Sequence, residues 1–475
     1  MYIRTLHVDH LKRLRDFKLD FTDEKGKPRM WTVLIGENGT AKTTILQAIA
    51  LAAAGSKQVN TIAGPIVQHI RDQRENEPMT IDAVFDFTPL SDGPSIHPLA
   101  PKGSSRGLQL QSQVFLEAGA AISLDATAHY IDAKTKKTIT TSKRRGKPRD
   151  PLDDARSENR SLWFVAGYGI SRLLPDSIFI PPLTRPSIDR MEPLFSPTWM
   201  MASMSFINRF NEKDIDEGRK PGTTAGIFVQ MLNNAIELGG NDLAPGIRKL
   251  EPRGALGERQ FRSFAGTDRF YQTIGARNEP EPIAGIALSH GYQSTFAWIA
   301  DLIGHVLLES NIEVKSLQVM EGLVLIDEID AYLHPRWQAT LISALRRIFP
   351  NMQFVATTHS PAVLAGVAPD EIVRLDVNEE TGNVEQKRWE SYDGSKEVPG
   401  PDPRAMTGSE IYRAWFDVDR LTPNPHGESL RRYLVLADDP FRSSADNAEL
   451  RKLKQELDEA RIDPGVRPVR QKKSP

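Results

Sequence analysis

The sequence predicts an α/β fold with a mixed central sheet flanked by helices, and three observations predict it. An apolar strand over Trp31–Ile35 runs into the glycine-rich turn "GENGTAKTT" and then into an alanine-rich helix that Gly55 ends. A second apolar strand, Gly322–Ile326, delivers Asp327 and Glu328 at its carboxyl end. A third, in "MQFVATTHSP", follows after a helix-length gap and ends at His359. Strands separated by helix-length segments build parallel sheets, and such sheets bind ligands at the carboxyl ends of their strands.

The other elements follow in order. Strand-like runs at Tyr2–Val8 and Phe17–Phe21 precede the glycine turn. Residues 79–142 read as short strands, "MTIDAVFDF", "SQVFLE" and the candidate hairpin "AISLDATAHYIDAKTKKTITTSK", which together predict an antiparallel β subdomain. Lys143–Arg160 is mixed in charge and carries prolines, so it reads as a mobile or exposed connector. "SLWFVAGYGISRLL" restores an apolar strand that ends in a glycine turn. Weaker patterning with helical pieces such as "GIFVQMLNNAIEL" marks an inserted, mostly helical subdomain, and regular apolar pattern returns at Ile283. The expected segments are 1–90, 91–160, 161–174, 175–282, 283–375 and a helical extension at 376–475, with no internal repeat.

Composition bounds the function. The 60 basic and 62 acidic residues leave a formal charge of −2, so a nucleic-acid contact would have to be local. The absence of cysteine excludes disulfides, thiolate chemistry and zinc–thiolate sites. "MYIRTLHVDHLKRLRDF" lacks the apolar core of a signal peptide, and the apolar run "STFAWIADLIGHVLLES" contains Asp301 and His305, too polar to span a bilayer. A cytoplasmic protein with no membrane partner is expected.

The glycine turn has the context of a phosphate-binding loop. Backbone N–H groups of residues 37–43 at a helix N-terminus would cradle phosphates, with Gly36, Asn38, Gly39, Ala41 and Thr44 in the cradle. Lys42 would bridge the β- and γ-phosphates of ATP, and the Thr43 hydroxyl would ligate Mg²⁺. Ala41 stands where the usual spacing has a second glycine. Its methyl is tolerable at negative φ and costs on the order of 1 kcal/mol or more at positive φ. Asp327 suits a Mg²⁺ contact through water, Glu328 the base or water-orienting role, and His359 a neutral donor toward a γ-phosphate. Singly, a solvated acidic strand end or a capping histidine would explain these residues. Three such strand ends in order behind a phosphate loop make coincidence a poor account.

The order "GENGTAKTT", "LSHGYQS", "LVLIDE" and "ATTHS" resembles an ATPase of the ABC class, in the branch of the chromosome-maintenance, recombination-repair and overcoming-lysogenization-defect-like ATPases. The resemblance covers residues 1–90, 161–174 and 283–375. It implies an ATPase head whose signature loop, matched at Leu288, Ser289 and Gly291, caps the nucleotide of an opposing protomer. Hence it implies a homodimer closed around two ATP, with higher assemblies open, and Asp330 reaching across the interface; Leu333, His334 and Pro335 mark the branch. The chain departs from the pattern at Ala41, at His290, and in "GYGISR", where Tyr168, Ser171 and Arg172 stand without the expected Mg²⁺-handling glutamine. ATP binding with slow hydrolysis is the expectation.

Neither long heptads nor a clearly basic groove supports a clamp-type repair ATPase, so DNA repair is the second reading. "GYGISRLLPDS", "RPSIDRMEPLFSP" and the tail from "MTGSEIYRAWFDVDRLTPNP" resemble the ATPase subunits of Septu-type and retron-associated anti-phage systems, which act beside a separate nuclease. The acids in "RRYLVLADDPF", Asp438 and Asp439, read as a helix end or loop, and a nuclease domain of the topoisomerase–primase type needs roughly a hundred residues. Any nuclease is therefore expected on another chain. The basic run Lys134–Arg149 could grip DNA, but a solvated hairpin tip accounts for it equally well. Thr407 with Glu410 predicts a capping box that opens a helix bearing Ile411, Trp415 and Phe416; Leu450, Leu453 and Leu457 form a stripe. Both features fit docking within their own domain or attachment of a partner.

Overall fold

The computed structural model describes residues 1–64, 66–72, 74, 76–87, 107–119, 123–139, 143–144, 147–157, 163–172, 174, 183–216, 223–251, 269–273, 280–309, 314, 316–390, 397–418 and 426–469. The chain divides into two compact units, Met1–Ile411 and Tyr412–Pro475.

In the first unit β1 (Tyr2–Asp9), β2 (Phe17–Asp20), β4 (Met79–Asp86), β5 (Leu108–Leu116), β6 (Asp125–Asp132) and β7 (Thr138–Ile139) form an antiparallel sheet in the order β2-β1-β4-β5-β6-β7. β4 alternates buried and half-buried residues along its length, as a strand covered on one face must. The second sheet holds β3 (Trp31–Ile35), β10 (Val165–Tyr168), β14 (Gly322–Ile326), β15 (Met352–Thr357), β16 (Ile372–Val377) and β17 (Val384–Lys387), in the order β10-β14-β15-β3-β16-β17. Its first five strands are mutually parallel and β17 is antiparallel. β3, β14 and β15 are buried at every residue, the mark of parallel strands covered on both faces. Helix α1 (Lys42–Ala52) lies between the two sheets, touching β4 and β5 on one side and β10, β14 and β15 on the other. Its run of buried alanines, with Ile45, Leu46 and Ile49, lets both sheets approach closely.

The short helices α2 (Val59–Ala63) and α3 (Val67–Ile70) follow α1, and β8 (Lys143–Arg144) pairs with β9 (Lys147–Pro148). The expectation of an exposed connector over Lys143–Arg160 is corrected by α4 (Pro151–Ser157), which is docked. Leu152 and Ala155 are buried, and the buried Arg156 guanidinium donates to the carbonyls of Ala53 and Trp163. The basic run of residues 134–149 falls partly outside the described residues; within them, Lys136 Nζ donates to Gln109 Oε1 at 2.8 Å.

The insertion contains α5 (Pro186–Asp189), α6 (Phe206–Asp216) and α7 (Thr223–Leu243), as its helical pieces predict. It leads into a three-stranded antiparallel sheet that the weak patterning hid: β11 (Ile247–Glu251), β12 (Arg269–Thr273) and β13 (Pro280–Ala284). α8 (His290–Glu309) begins in "LSHGYQS", α9 (Pro335–Ile348) follows the acidic pair, and α10 (Pro361–Leu364) follows His359. Among the described residues no helix is long and apolar enough to cross a membrane.

α11 (Gly408–Phe416) opens with the expected reciprocal cap: Thr407 N donates to Glu410 Oε2 at 2.6 Å and Glu410 N to Thr407 Oγ1 at 3.4 Å. In the second unit α12 (Gly427–Asp438) pairs with α13 (Ser444–Glu459). Leu450 and Leu457 are buried against Tyr433, Leu436 and Ala437, with Leu453 packed beside them, so the leucine stripe docks within its own unit. Asp438 ends a helix and Asp439 caps it, as expected of "RRYLVLADDPF".

Two local features carry testable energetics. Ala41 is left-handed, with φ 60° and ψ 21°, so the positive-φ alternative holds and the methyl is strained. Ala41→Gly is therefore expected to raise unfolding stability by about 1 kcal/mol; chemical denaturation checks this, and an unchanged or lowered stability would contradict it. The second is Asp301 on α8, which accepts from Ala202 N, Ser203 N and the Tyr168 hydroxyl. Burial pushes its carboxyl up to about 6, against the pull of those bonds. A folded pKa above the unfolded 3.8 means that this group's stabilising contribution is full below about pH 3.8 and is lost as pH rises through 6. Asp301→Asn should flatten the decline in melting temperature between pH 4 and 7 relative to the parent protein.

Candidate nucleotide site

The parallel register brings the expected residues to one edge. Ile326 pairs with Ala356 and Thr357 with Leu34, so Asp327, His359 and Gly36 leave their strands side by side. Gly36 has φ 150°, and a Cβ there would lie 2.4 Å from the Leu375 carbonyl oxygen, so only glycine fits the turn out of β3.

Lys42 is buried in the loop, and its ammonium donates to the carbonyls of Gly36 at 2.9 Å and Glu37 at 2.8 Å. Burial lowers its pKa, while Asp327 and Glu328 oppose that shift. Thr43 Oγ1 donates to Asp327 Oδ2 at 2.8 Å across 284 residues of chain. The other oxygen, Oδ1, accepts from Thr357 Oγ1 at 2.7 Å.

Glu328 follows with φ 44°, and its N–H donates to Thr357 Oγ1 at 2.7 Å. Burial, then the charges of Asp327 and Asp330, raise its pKa against the opposing pull of Arg172 and Lys42. His359 has a lowered pKa, from partial burial and then the charge of Lys42, so its imidazole is neutral at pH 7. Asp330 accepts from the Thr358 hydroxyl.

A cavity of about 360 Å³ joins these groups, lined by Asn38, Gly39, Ala41, Lys42, Thr43, Thr44, Asp327, Glu328 and His359. Ser289 and Gly291 are not among its lining residues. They sit at the start of α8, with Ser289 exposed. A Cβ on Gly291 would lie 2.8 Å from the Tyr332 carbonyl oxygen, so the signature turn packs tightly on the loop after the acidic pair.

Sequence reasoning missed Lys12, Arg13 and Thr357, which also line the cavity, and did not foresee what Arg172 does. Lys12 and Arg13 sit in the β1–β2 turn, pinned by buried Leu11 and Leu14 and by bonds from Lys12 N to Ile70 O and from Val384 N to Arg13 O. Lys12 takes φ 51°, its Nζ donates to Thr44 Oγ1 at 3.1 Å, and burial lowers its pKa. The signal available in sequence was only three basic residues, Lys12, Arg13 and Arg15, in a short interstrand turn. Arg172 is buried and donates to the carbonyls of Asp327 and Glu328, both at 2.6 Å.

The donor set fits a hard divalent cation. A threonine hydroxyl and a carboxylate oxygen converge, which leaves the remaining positions of an octahedral ion to phosphates and water. Among the described residues there is no cluster of three or more His, Cys, Asp or Glu that would cage an ion by itself.

Comparison with known proteins agrees with this geometry. A family model described as "AAA ATPase domain" matches residues 1–158, and one described as "AAA domain, putative AbiEii toxin, Type IV TA system" matches residues 276–365. The Septu protein PtuA of Bacillus mycoides (strain KBAB4) is 26% identical over 96% of this chain and 50% of its own length. The Retron Vc95 probable ATPase of Vibrio cholerae serotype O1 biovar El Tor is 40% identical over 18% of this chain and 16% of its own. The Retron Ec83 probable ATPase of Escherichia coli is 45% identical over 16% of this chain and 14% of its own. The chain thus spans half the length, or less, of these curated relatives. With the phosphate loop, acidic pair and histidine at neighbouring strand ends of one parallel sheet, the chain resembles an ABC-class ATPase head and is similar to the Septu protein PtuA and to the retron probable ATPases.

Proposed function

We propose that the chain binds ATP with Mg²⁺, hydrolyses it slowly, and acts as a nucleotide-gated switch in an anti-phage defence complex with a separate nuclease. The observation that carries the ATPase reading is the bond between Thr43 Oγ1 and Asp327 Oδ2, which unites the phosphate loop and the acidic strand. In the reaction, the N–H groups of residues 37–43 and the ammonium of Lys42 take the phosphate oxygens, in exchange for the loop carbonyls that Lys42 now holds. Thr43 and Asp327 would hold Mg²⁺, which would supply neutralisation of the phosphate charge. Glu328, with its raised pKa, orients the attacking water and receives its proton, while neutral His359 donates toward the γ-phosphate. Ser289 and Gly291 stand outside the cavity of their own chain, which supports the reading that two heads close head to tail, each completing the other's site with Asp330 at the seam. Slow turnover follows, because chemistry waits on pairing.

The defence role is supported by the Septu relative, similar over 96% of this chain, and by the retron relatives, similar over 18% and 16% of it. Lys42→Ala should abolish ATP binding, and unchanged affinity in a titration would sink the phosphate-loop assignment. Glu328→Gln should keep ATP affinity while lowering kcat by about 100-fold or more and accumulating a closed dimer, visible as a doubled mass in light scattering. Turnover at the parental rate would remove Glu328 from the mechanism. For the partner, mass spectrometry of chains that co-purify from the native locus with ATP present should find a stoichiometric nuclease. A protein that comes alone, with an ATPase stimulated by DNA ends, would contradict this and favour the repair reading.

A further inference from the structure

Arg172 is one of the residues of "GYGISR" that stand without the glutamine the resemblance expects, and its surroundings are specific. It is 1% exposed, on the loop that leaves β10. Nη1 donates to the Asp327 carbonyl and Nη2 to the Glu328 carbonyl, each at 2.6 Å, while Nε lies 3.4 Å from Ser294 Oγ on α8. One rigid fork therefore spans two successive peptide units and reaches the helix that starts at the signature turn. Those peptide units are strained: Glu328 is held at φ 44°, a conformation that costs on the order of 1 kcal/mol for a residue with a Cβ. Asp327 N donates to Tyr168 O at 2.8 Å, so the end of β10 holds the acidic turn from its N–H side as well. A carbonyl pair needs donors, and a buried guanidinium supplies two in one plane, which a lysine ammonium at one point cannot.

We propose that Arg172 is a positioning residue for ATP hydrolysis: its guanidinium clamps the Asp327 and Glu328 carbonyls and so fixes the strained turn that aims the Glu328 side chain into the cavity. It is not among the residues that line the cavity, and it acts through the backbone of the acidic pair. This rests on the ATPase reading above.

The test is Arg172→Lys, which keeps the charge and removes the fork. ATP affinity should stay within about threefold of the parent, because the phosphate loop and Lys42 are untouched, while kcat falls at least tenfold. Arg172→Ala supplied with guanidinium ion should recover part of the lost kcat, with saturation. If the lysine variant does not fold, Arg172→Gln, which also lacks the fork, is read for the same split. Parental kcat in a folded variant overturns the inference, and so does a loss of ATP affinity equal to the loss of kcat, which marks a merely structural role. The parent and Glu328→Gln separate the two levels. A parent that turns over ATP, a dead Glu328→Gln and an unimpaired Arg172→Lys refute this inference alone. A parent with no turnover refutes the ATPase reading, and the inference with it.

Discussion

The site depends on where Asp327 is held. Its carboxylate lies between the hydroxyls of Thr43 and Thr357, its N–H is bonded to Tyr168 and its carbonyl to Arg172. Three segments distant from it in sequence meet at this one residue. They can meet only because β14 lies between β10 and β15 in parallel register, with β3 next along, so that the strands end together. A one-residue slip of β14 would turn its side chains to the opposite face of the sheet and carry the carboxylate away from Thr43.

Backbone strain surrounds this meeting point. Lys12, Ala41, Glu328 and Tyr332, none of them glycine, all have positive φ. Each borders the cavity or the turn beneath the signature glycine. Such conformations persist only when the surroundings over-determine them, and here α1 is packed between two sheets while the fully buried β3, β14 and β15 supply a rigid base. The fold thus holds loops in shapes their sequences would not choose, and Ala41 is the plainest case.

Much of this was legible in sequence. The strand before the phosphate loop is Trp31–Ile35 and the strand before the acidic pair is Gly322–Ile326, both as read, because continuous apolar runs bounded by glycine and acids leave little ambiguity. The reciprocal cap of Thr407 and Glu410 was legible for a similarly local reason. What the sequence hid depends on long-range partners. Arg156 turns an apparently charged connector into a docked helix by donating to carbonyls of Ala53 and Trp163, and no local pattern signals this. Lys12 faces the cavity because Leu11 and Leu14 anchor its turn, and the β11–β13 sheet rests on antiparallel pairings that no local pattern signals. In sequence the loop holding Arg172 showed only the lack of a glutamine, and only the fold shows the two carbonyls that its fork bonds.

The central claim is that Thr43 and Asp327 converge to hold Mg²⁺ against the phosphates of ATP. Calorimetric titration of the protein with ATP, in Mg²⁺ and again in excess chelator, tests it most directly. The account expects one site per chain with affinity at least tenfold higher in Mg²⁺. Equal affinity with and without the ion, or no binding in either, would contradict it.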